Sequence, residues 1–560
     1  MFSSLPVVRI PTVRRFFVAT ALVTVGLMAW VSDLPDEGGI YGLSQIFARL
    51  FLSEDHDALI VTLMLLLALM LLPALPGLRR APTWLAERPW SVCAVTTLVL
   101  CAGSVLVYHV QPLSMDEYAP AFQSQVFASG HMAGIFPLPA MDWLVPPWFQ
   151  GVFLRISPAT GQVISVYSPS FALLLTPFTW LGIPGACNAV LSGLTVVTLR
   201  RLALELFDSV EAAGMAMLFT LASPVFFADG ISFYSMTAHL LFNSVFALLL
   251  LKATPWRLLL AGVAGSVALT LHNPLPHTLF ALPWVVWLAL RKHGVRDLAI
   301  LGAGYLPLGI PLFLGWHHFS ASLGNPGGEA ANAGLANMAA TSLMSWPTAS
   351  IVLSRLIGLA KIWIWAVPGL LLLAAAGAWR WRNDPRCLAL VASAALTFAG
   401  YFFFTPDQGH GWGYRYFHSA WFVLPLLAAG ALLPRKTDVD RGKASDDGAL
   451  TSFVVTACLL MLVVGVGLRA MQIDSYMREH LAQLPAYDGK ELRIVLVSQQ
   501  ATSYGADLVQ NDPFLRKDVI RMLLQSPSDA AAAVQSLHPE FHRVFADRHG
   551  EVWSAARPTP

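Results

Sequence analysis

Long apolar runs separated by short polar stretches occupy most of the chain between residues 16 and 468. Most of these runs reach roughly 18 residues, enough for a helix to cross ~30 Å of hydrocarbon. A helix also satisfies its own backbone polar groups, as a bilayer requires. The pattern predicts a polytopic α-helical membrane protein of about thirteen transmembrane helices. They are expected at about 16–32, 57–76, 91–110, 186–203, 211–228, 235–252, 257–272, 278–291, 298–316, 362–379, 387–404, 417–433 and 450–468.

The polar stretches orient these spans, because cytoplasmic loops keep Lys and Arg. Arg9, Arg14 and Arg15 precede the first span and predict a cytoplasmic N-terminus without a cleaved leader. Asp33, Asp36, Glu37, Glu54 and Asp55 make the next loop acidic and external. Arg79, Arg80 and Arg88 return the chain to the inside. Two apolar stretches follow at about 168–183 and 186–203. Crossing only at the second keeps Arg200 and Arg201 inside, so 111–185 is expected as one large external segment with an apolar helix lying on the membrane. Later inside loops carry Lys252/Arg257, Arg291/Lys292/Arg296, Arg380/Arg382/Arg386 and Arg435/Lys436/Arg441/Lys443, whereas 319–346 has no Lys or Arg.

From about residue 470 the apolar runs cease. Leu492–Val497 alternates like a strand, helical patterns follow at 514–525 and 528–537, and a second short strand is expected near Arg543–Phe545. Three units result: extra transmembrane helices over 1–90, a transmembrane module over 91–470, and a small soluble α/β domain over 471–560 on the external, periplasmic side. No internal repeat is evident.

Composition agrees with a membrane protein. Of 560 residues, 56% are hydrophobic and only 12% charged, about half the charged share of a soluble protein. Mean hydropathy is +0.61. A formal charge of +2 offers no basic field for nucleic acid. The five cysteines lie in or beside apolar runs without metal-ligand spacing. The Ala, Leu and Arg content and the lack of eukaryotic sorting signals fit a bacterial inner membrane.

Against this apolar background three polar clusters carry candidate chemistry. Asp116 and Glu117 follow the span at 91–110, at the head of the external segment, before the amphipathic aromatics Trp143, Trp148 and Phe149. Such a pair can simply cap a span in the headgroup layer. A partly desolvated carboxylate there can also act as general base on an acceptor hydroxyl. The second cluster runs from Asp407 to His418 and holds Gly409, His410, Gly411, Gly413, Tyr414 and Arg415. Its glycines permit close backbone approach to a ligand, and an Arg between tyrosines suits a phosphate oxyanion. The third, His272-Asn273-Pro274-Leu275-Pro276-His277, lies where prolines break two helices. Its imidazoles are candidates for phosphate or acceptor contact, and their i, i+5 spacing is not a metal-ligand spacing on a helix. Asp229 is a candidate second carboxylate, Asp142 a weaker one. Arg355 and Lys361 lie on an amphipathic stretch, placed to meet lipid phosphate.

The order of these features resembles the GT-C membrane glycosyltransferases, including protein O-mannosyltransferases and the aminoarabinose transferases acting on lipid A. Tyr167-Ser168-Pro169-Ser170-Phe171-Ala172-Leu173-Leu174-Leu175 is similar to their Tyr/His-Pro-Pro-x-x-x-Leu-Leu segment, with Ser168 in place of one proline. Gly411-Trp412-Gly413-Tyr414-Arg415-Tyr416 is similar to the Gly-x-x-Tyr-x-x-Arg-Tyr region of bacterial members. The resemblance runs from about 91 to 470. Two spans precede the Asp-Glu span where the family usually has none, and His272-Asn273-Pro274 stands where many members have Arg-Pro.

The resemblance implies GT-C-like architecture and inverting transfer of a sugar from a polyprenyl-phosphate donor to a glycan, lipid or protein acceptor on the outer face. By position Asp116 corresponds to the catalytic base with Glu117 beside it. Arg415, with His272 and Tyr414, corresponds to the donor-phosphate contacts. Asp229, His277 and His410 are left for a second carboxylate or the acceptor. The family does not fix metal use, so a divalent Mg, Mn or Zn ion stays open. The rival readings are a transporter or flippase of lipid-linked glycans and a non-catalytic scaffold of a polysaccharide assembly complex. The polar clusters at the outer boundary favour the enzyme.

Overall fold

The apolar runs form helices. The computed structural model describes residues 11–35, 44–71, 76–324, 345–433, 444–487 and 489–555. Asp36, Glu37, residues 325–344 of the expected outer loop, and the inside cluster Arg435/Lys436/Arg441/Lys443 lie outside the described residues. Among the described residues, 5 helices are long and apolar enough to span a membrane: Thr12–Asp33, Pro89–Leu106, Gly294–Ser322, Pro385–Phe403 and Gly448–Leu481. Shorter apolar helices, such as Met236–Leu250, Pro255–Leu269 and Leu275–Ala289, lie among them.

Three expected spans are broken, the one at 417–433 dividing into the end of Arg415–His418 and Val423–Ala431. The run at 211–228 forms Val210–Ala222 and Pro224–Ile231, bent by 63°. Pro224 lacks an N–H, and the Ser223 hydroxyl turns back to the Phe219 carbonyl at 2.8 Å. The run at 362–379 forms the end of Ala349–Ile364 and the separate helix Leu370–Arg380. The chain turns between them at Gly369, whose φ of +79° suits glycine. In contrast, the run at 450–468 does not stop there. It continues as helix to Leu481 through a π-helical turn at Met461–Gly465.

The segment over 111–185 contains the helix Met115–Ala128, three short strands and the apolar helix Ser170–Trp180. Strands β1 (Gly134–Ile135), β2 (Leu154–Ile156) and β3 (Gln162–Ser165) form an antiparallel sheet in the order β1-β3-β2. The tail forms a second sheet from β4 (Arg493–Ser498), β5 (Val519–Leu524), β6 (His542–Asp547) and β7 (Gly550–Ser554), in the order β5-β4-β7-β6. β4 and β5 are parallel and the other pairs antiparallel.

The expected strand at 492–497, helix at 528–537 and strand near 543–545 appear as β4, Ala530–Gln535 and β6. The expected helix over 514–525 is instead β5. Its short apolar run fits a strand covered on both faces as well as a buried helix, and only pairing with β4 separates the two. Ile494, Leu496, Ile520 and Met522 pack with Met115, Tyr118 and Phe122 in one apolar cluster. The tail therefore shares its core with the segment over 111–185.

Asp55, Arg355 and Lys361 do not lie where the sequence pattern puts them. Asp55 is buried rather than in a solvated loop, and its carboxylate accepts from Lys361 Nζ at 2.6 Å, Trp365 Nε1 at 2.6 Å and Arg469 at 2.7 Å. Lys361 is thus paired inside the protein rather than free for lipid phosphate. Arg355 donates to the carbonyls of Tyr401 at 2.7 Å, Phe404 at 2.5 Å and Pro406 at 2.9 Å. It anchors the loop leading into the glycine-rich cluster.

Candidate active site

Asp116 lies in the first turn of Met115–Ala128, where the helix dipole favours negative charge. Its Oδ2 receives both terminal nitrogens of Arg415 at 3.3 Å. Its Oδ1 accepts from the Tyr167 hydroxyl. The Tyr167 ring stacks on His272 with centroids 3.8 Å apart. Side-chain exposure is 28% for Asp116 but 6% for Arg415, so the carboxylate is the accessible member of the pair.

Each partner is held from behind. Gln408 shapes the glycine-rich loop by donating to the carbonyls of Gly411 at 3.3 Å and Gly413 at 3.1 Å. Its amide oxygen accepts the Arg415 backbone N–H at 3.0 Å, and its backbone carbonyl accepts from the guanidinium. Gly411 needs its freedom: φ is +105°, and an added Cβ would lie 3.1 Å from the Arg415 side chain. The guanidinium lies over the Tyr234 ring at 4.1 Å. Backbone bonds Ser168 N–His272 O at 3.2 Å and Ser170 N–Thr270 O at 3.1 Å set Tyr167 against His272.

Burial alone would raise the Asp116 pKa. The Arg415 charge and the bonds from Tyr167 and Arg415 outweigh it and hold this carboxyl below the usual range. Asp116 is therefore ionised at neutral pH.

Glu117 is not at this opening. It is fully buried and accepts from Tyr108 at 2.9 and 3.0 Å, Leu113 N at 2.5 Å and Phe233 N at 2.7 Å. Burial pushes its carboxyl up to about 7 against the pull of those N–H groups.

The other candidates are dispersed. Tyr414 is buried among Phe398 and Tyr416. Asp229 lies 2.9 Å from His418 inside the helices. His277 is fixed between Asn243 and Tyr305, each at 2.7 Å. His410 packs on Tyr504 at 4.4 Å and lies 3.6 Å from Asp507 of the tail. Asp142 bonds Gln150 near the surface.

Sequence reasoning did not select Tyr167, Tyr234, Gln408 or Asp507 as site residues. Tyr167 did stand at the head of a family-like segment. Asp507, which receives the Met115 N–H at 3.0 Å, is 391 positions from Asp116 along the chain and has no sequence signal. Among the described residues no group of three His, Cys, Asp or Glu could hold a metal ion. Asp116 itself is flanked by a guanidinium and a phenol, a donor set that does not fit a divalent cation.

No family model and no curated protein matches the chain. Solved structures do. ArnT from Cupriavidus metallidurans bound to undecaprenyl phosphate superposes with a TM-score of 0.51 at 13% identity, covering 84% of this chain and 99% of that one. The same protein in the apo state gives 0.51 at 14% identity, covering 84% and 98%. The chain shares the fold of these two structures. An oligosaccharyltransferase from Archaeoglobus fulgidus, in complex with Zn and sulfate, gives a TM-score of 0.36 at 14% identity, covering 68% of this chain and 53% of that one. The shared fold and the apolar helices indicate a membrane protein.

Proposed function

We propose that this protein is a membrane glycosyltransferase that moves a sugar from a polyprenyl-phosphate donor to a hydroxyl of an envelope glycan, lipid or protein. The observation that carries the reading is the accessible, ionised Asp116 held by Arg415 and Tyr167. Its setting supports the same reading: the fold is shared with ArnT, which was solved with undecaprenyl phosphate bound. The protein lies in a bacterial inner membrane with about thirteen spans, its N-terminus cytoplasmic and its tail domain periplasmic.

Asp116 accepts the proton of the acceptor hydroxyl as that oxygen attacks the anomeric carbon. The carbon–oxygen bond to phosphate breaks, and polyprenyl phosphate leaves with the bonding electrons. One direct displacement inverts the anomeric centre, so a retained configuration in the product would exclude it. Arg415 keeps Asp116 ionised and offers its charge to the donor phosphate beside it. His272, stacked on Tyr167, supplies a hydrogen bond to phosphate or sugar. Glu117 acts as a positioning residue, tying the start of its helix to Tyr108 and Phe233. The activated donor supplies the free energy, and no step is routed through a metal.

The test is a mass-spectrometric envelope glycan profile of a deletion strain complemented with wild type or Asp116→Asn at matched membrane levels. Wild type restores a sugar that Asp116→Asn does not. Equal restoration by both would leave Asp116 a structural cap and the protein a transporter or scaffold.

A further inference from the structure

A cavity of about 710 Å³ lies between the outer face of Met115–Ala128, the end of Ser170–Trp180 and the tail sheet. It is not the Asp116 site. Ala121 and Gln125 line it, and at 100° per residue they project from the helix face opposite Asp116.

Its charge is uneven. Arg516, Lys517 and Arg521 line it, with Asp518 the one carboxylate among the lining residues. Among the described residues none of the three cations forms an ion pair. Arg516 lies over the Phe514 ring at 4.8 Å. Arg521, half-buried on β5, donates to the Leu508 carbonyl at 3.4 Å. Burial without a carboxylate partner pulls its guanidinium below the usual value. A half-buried cation with no counter-ion favours an anion in the adjoining space.

The other wall points to where that anion comes from. Thr179, Gly182 and Pro184 line the cavity. Beside them Trp180, Leu181 and Ile183 are 76%, 63% and 53% exposed. An exposed Trp-Leu-Gly-Ile edge at the end of an apolar helix belongs in the headgroup and upper acyl layer. The opening therefore combines lipid-facing apolar residues on one side with unpaired cations on the other. The amide wall is already fixed: Gln111 donates to Gln510 at 2.6 Å, and Asn511 Nδ2 donates to the Arg521 carbonyl at 2.8 Å.

We propose that this cavity binds the phosphate headgroup of an anionic lipid of the outer leaflet, its acyl chains lying along Trp180, Leu181 and Ile183. The bound lipid locks the tail sheet to the Asp116 helix, whose Tyr118 hydroxyl already bonds Asn511 on the cavity wall.

The test uses the purified full chain in neutral detergent, with native mass spectrometry reading short-chain phosphatidylglycerol, phosphatidylcholine and inorganic phosphate. Phosphatidylglycerol binds in preference to phosphatidylcholine. The double variant Arg516→Gln/Lys517→Gln, changed at two exposed positions, weakens it by about fivefold per cation removed. Arg521→Gln weakens it further, and inorganic phosphate at equal concentration does not displace it. Equal binding of the two lipids, or unchanged affinity in the double variant, overturns the site. Displacement by inorganic phosphate overturns the lipid as its occupant.

Discussion

Asp55 and Asp116 are both paired with arginine, and of these two only Asp116 is open. Asp55 is closed in by Lys361 and Arg469, all three side chains 1% exposed, with Trp365 as a further donor. The Arg469 guanidinium lies 3.8 Å over the Trp365 ring. Asp116 has one cation and one phenol, and 28% of its side chain is exposed. The first arrangement joins three distant segments and leaves the carboxylate no space for a substrate. The second holds the carboxylate ionised while leaving one side free, as proton transfer needs. Pairing with an arginine therefore does not by itself mark a proton acceptor; the open side of Asp116 is what suits it to the proposed role.

Substitution sharpens this contrast, beginning with the largest expected effect. Asp116→Asn should lower transfer rate by about 10³-fold with a smaller loss of Tm than Asp55→Asn. A parallel loss of folded protein would dissolve the distinction from Asp55. Asp55→Asn should act in the opposite sense, destabilising the protein by about 3–5 kcal/mol because two buried cations lose their shared partner. Thermal unfolding in detergent reads this, and an unchanged Tm with lost activity would break the comparison.

Tyr167→Phe should cost about tenfold in rate and move the acid limb of the pH–rate profile upward. That hydroxyl stabilises ionised Asp116 and helps lower its pKa. The limb marks Asp116 protonation, so losing the bond brings it to higher pH. An unmoved limb would assign the limb to another group.

The smallest effect belongs to Glu117, whose folded value of about 7 lies above its ordinary 4.5. The folded state holds this proton more tightly than the unfolded state. Its contribution to stability is therefore full below about pH 4.5 and declines as pH rises toward 7. Asp507, also raised by burial to about 7, adds to the same decline. Glu117→Gln should flatten part of the fall in Tm between pH 5 and 7.5. An equally steep fall would remove Glu117 from this account.

The site was partly legible because two of its parts leave strong local signals. Asp116 interrupts a long apolar context, and Arg415 lies in a run of glycines and aromatics. Either feature stands out in a chain that is 12% charged. Glu117 shares the signal of Asp116, yet the next position on a helix points about 100° away. That rotation turns it onto Tyr108 and the Phe233 N–H instead of the opening. Lys361 and Arg355 carried the same kind of signal as Arg415, and burial against Asp55 and against loop carbonyls gives them structural work. Residues 514–525 went astray for a different reason, since a short apolar run does not choose between helix and strand without its neighbour.

By itself the sequence determined the membrane class, most helix positions and the residues at which charge interrupts apolar chain. Each is a local property, set by the cost of placing polar groups in hydrocarbon. The tertiary structure alone decided that Asp116, Tyr167, His272 and Arg415 converge, that Asp55 closes on Lys361 and Arg469, and that the tail sheet shares a core with the Asp116 helix. These depend on which distant segments pack together and which faces they bury. Apolar packing in a membrane protein is too permissive in sequence for one chain to reveal those partners.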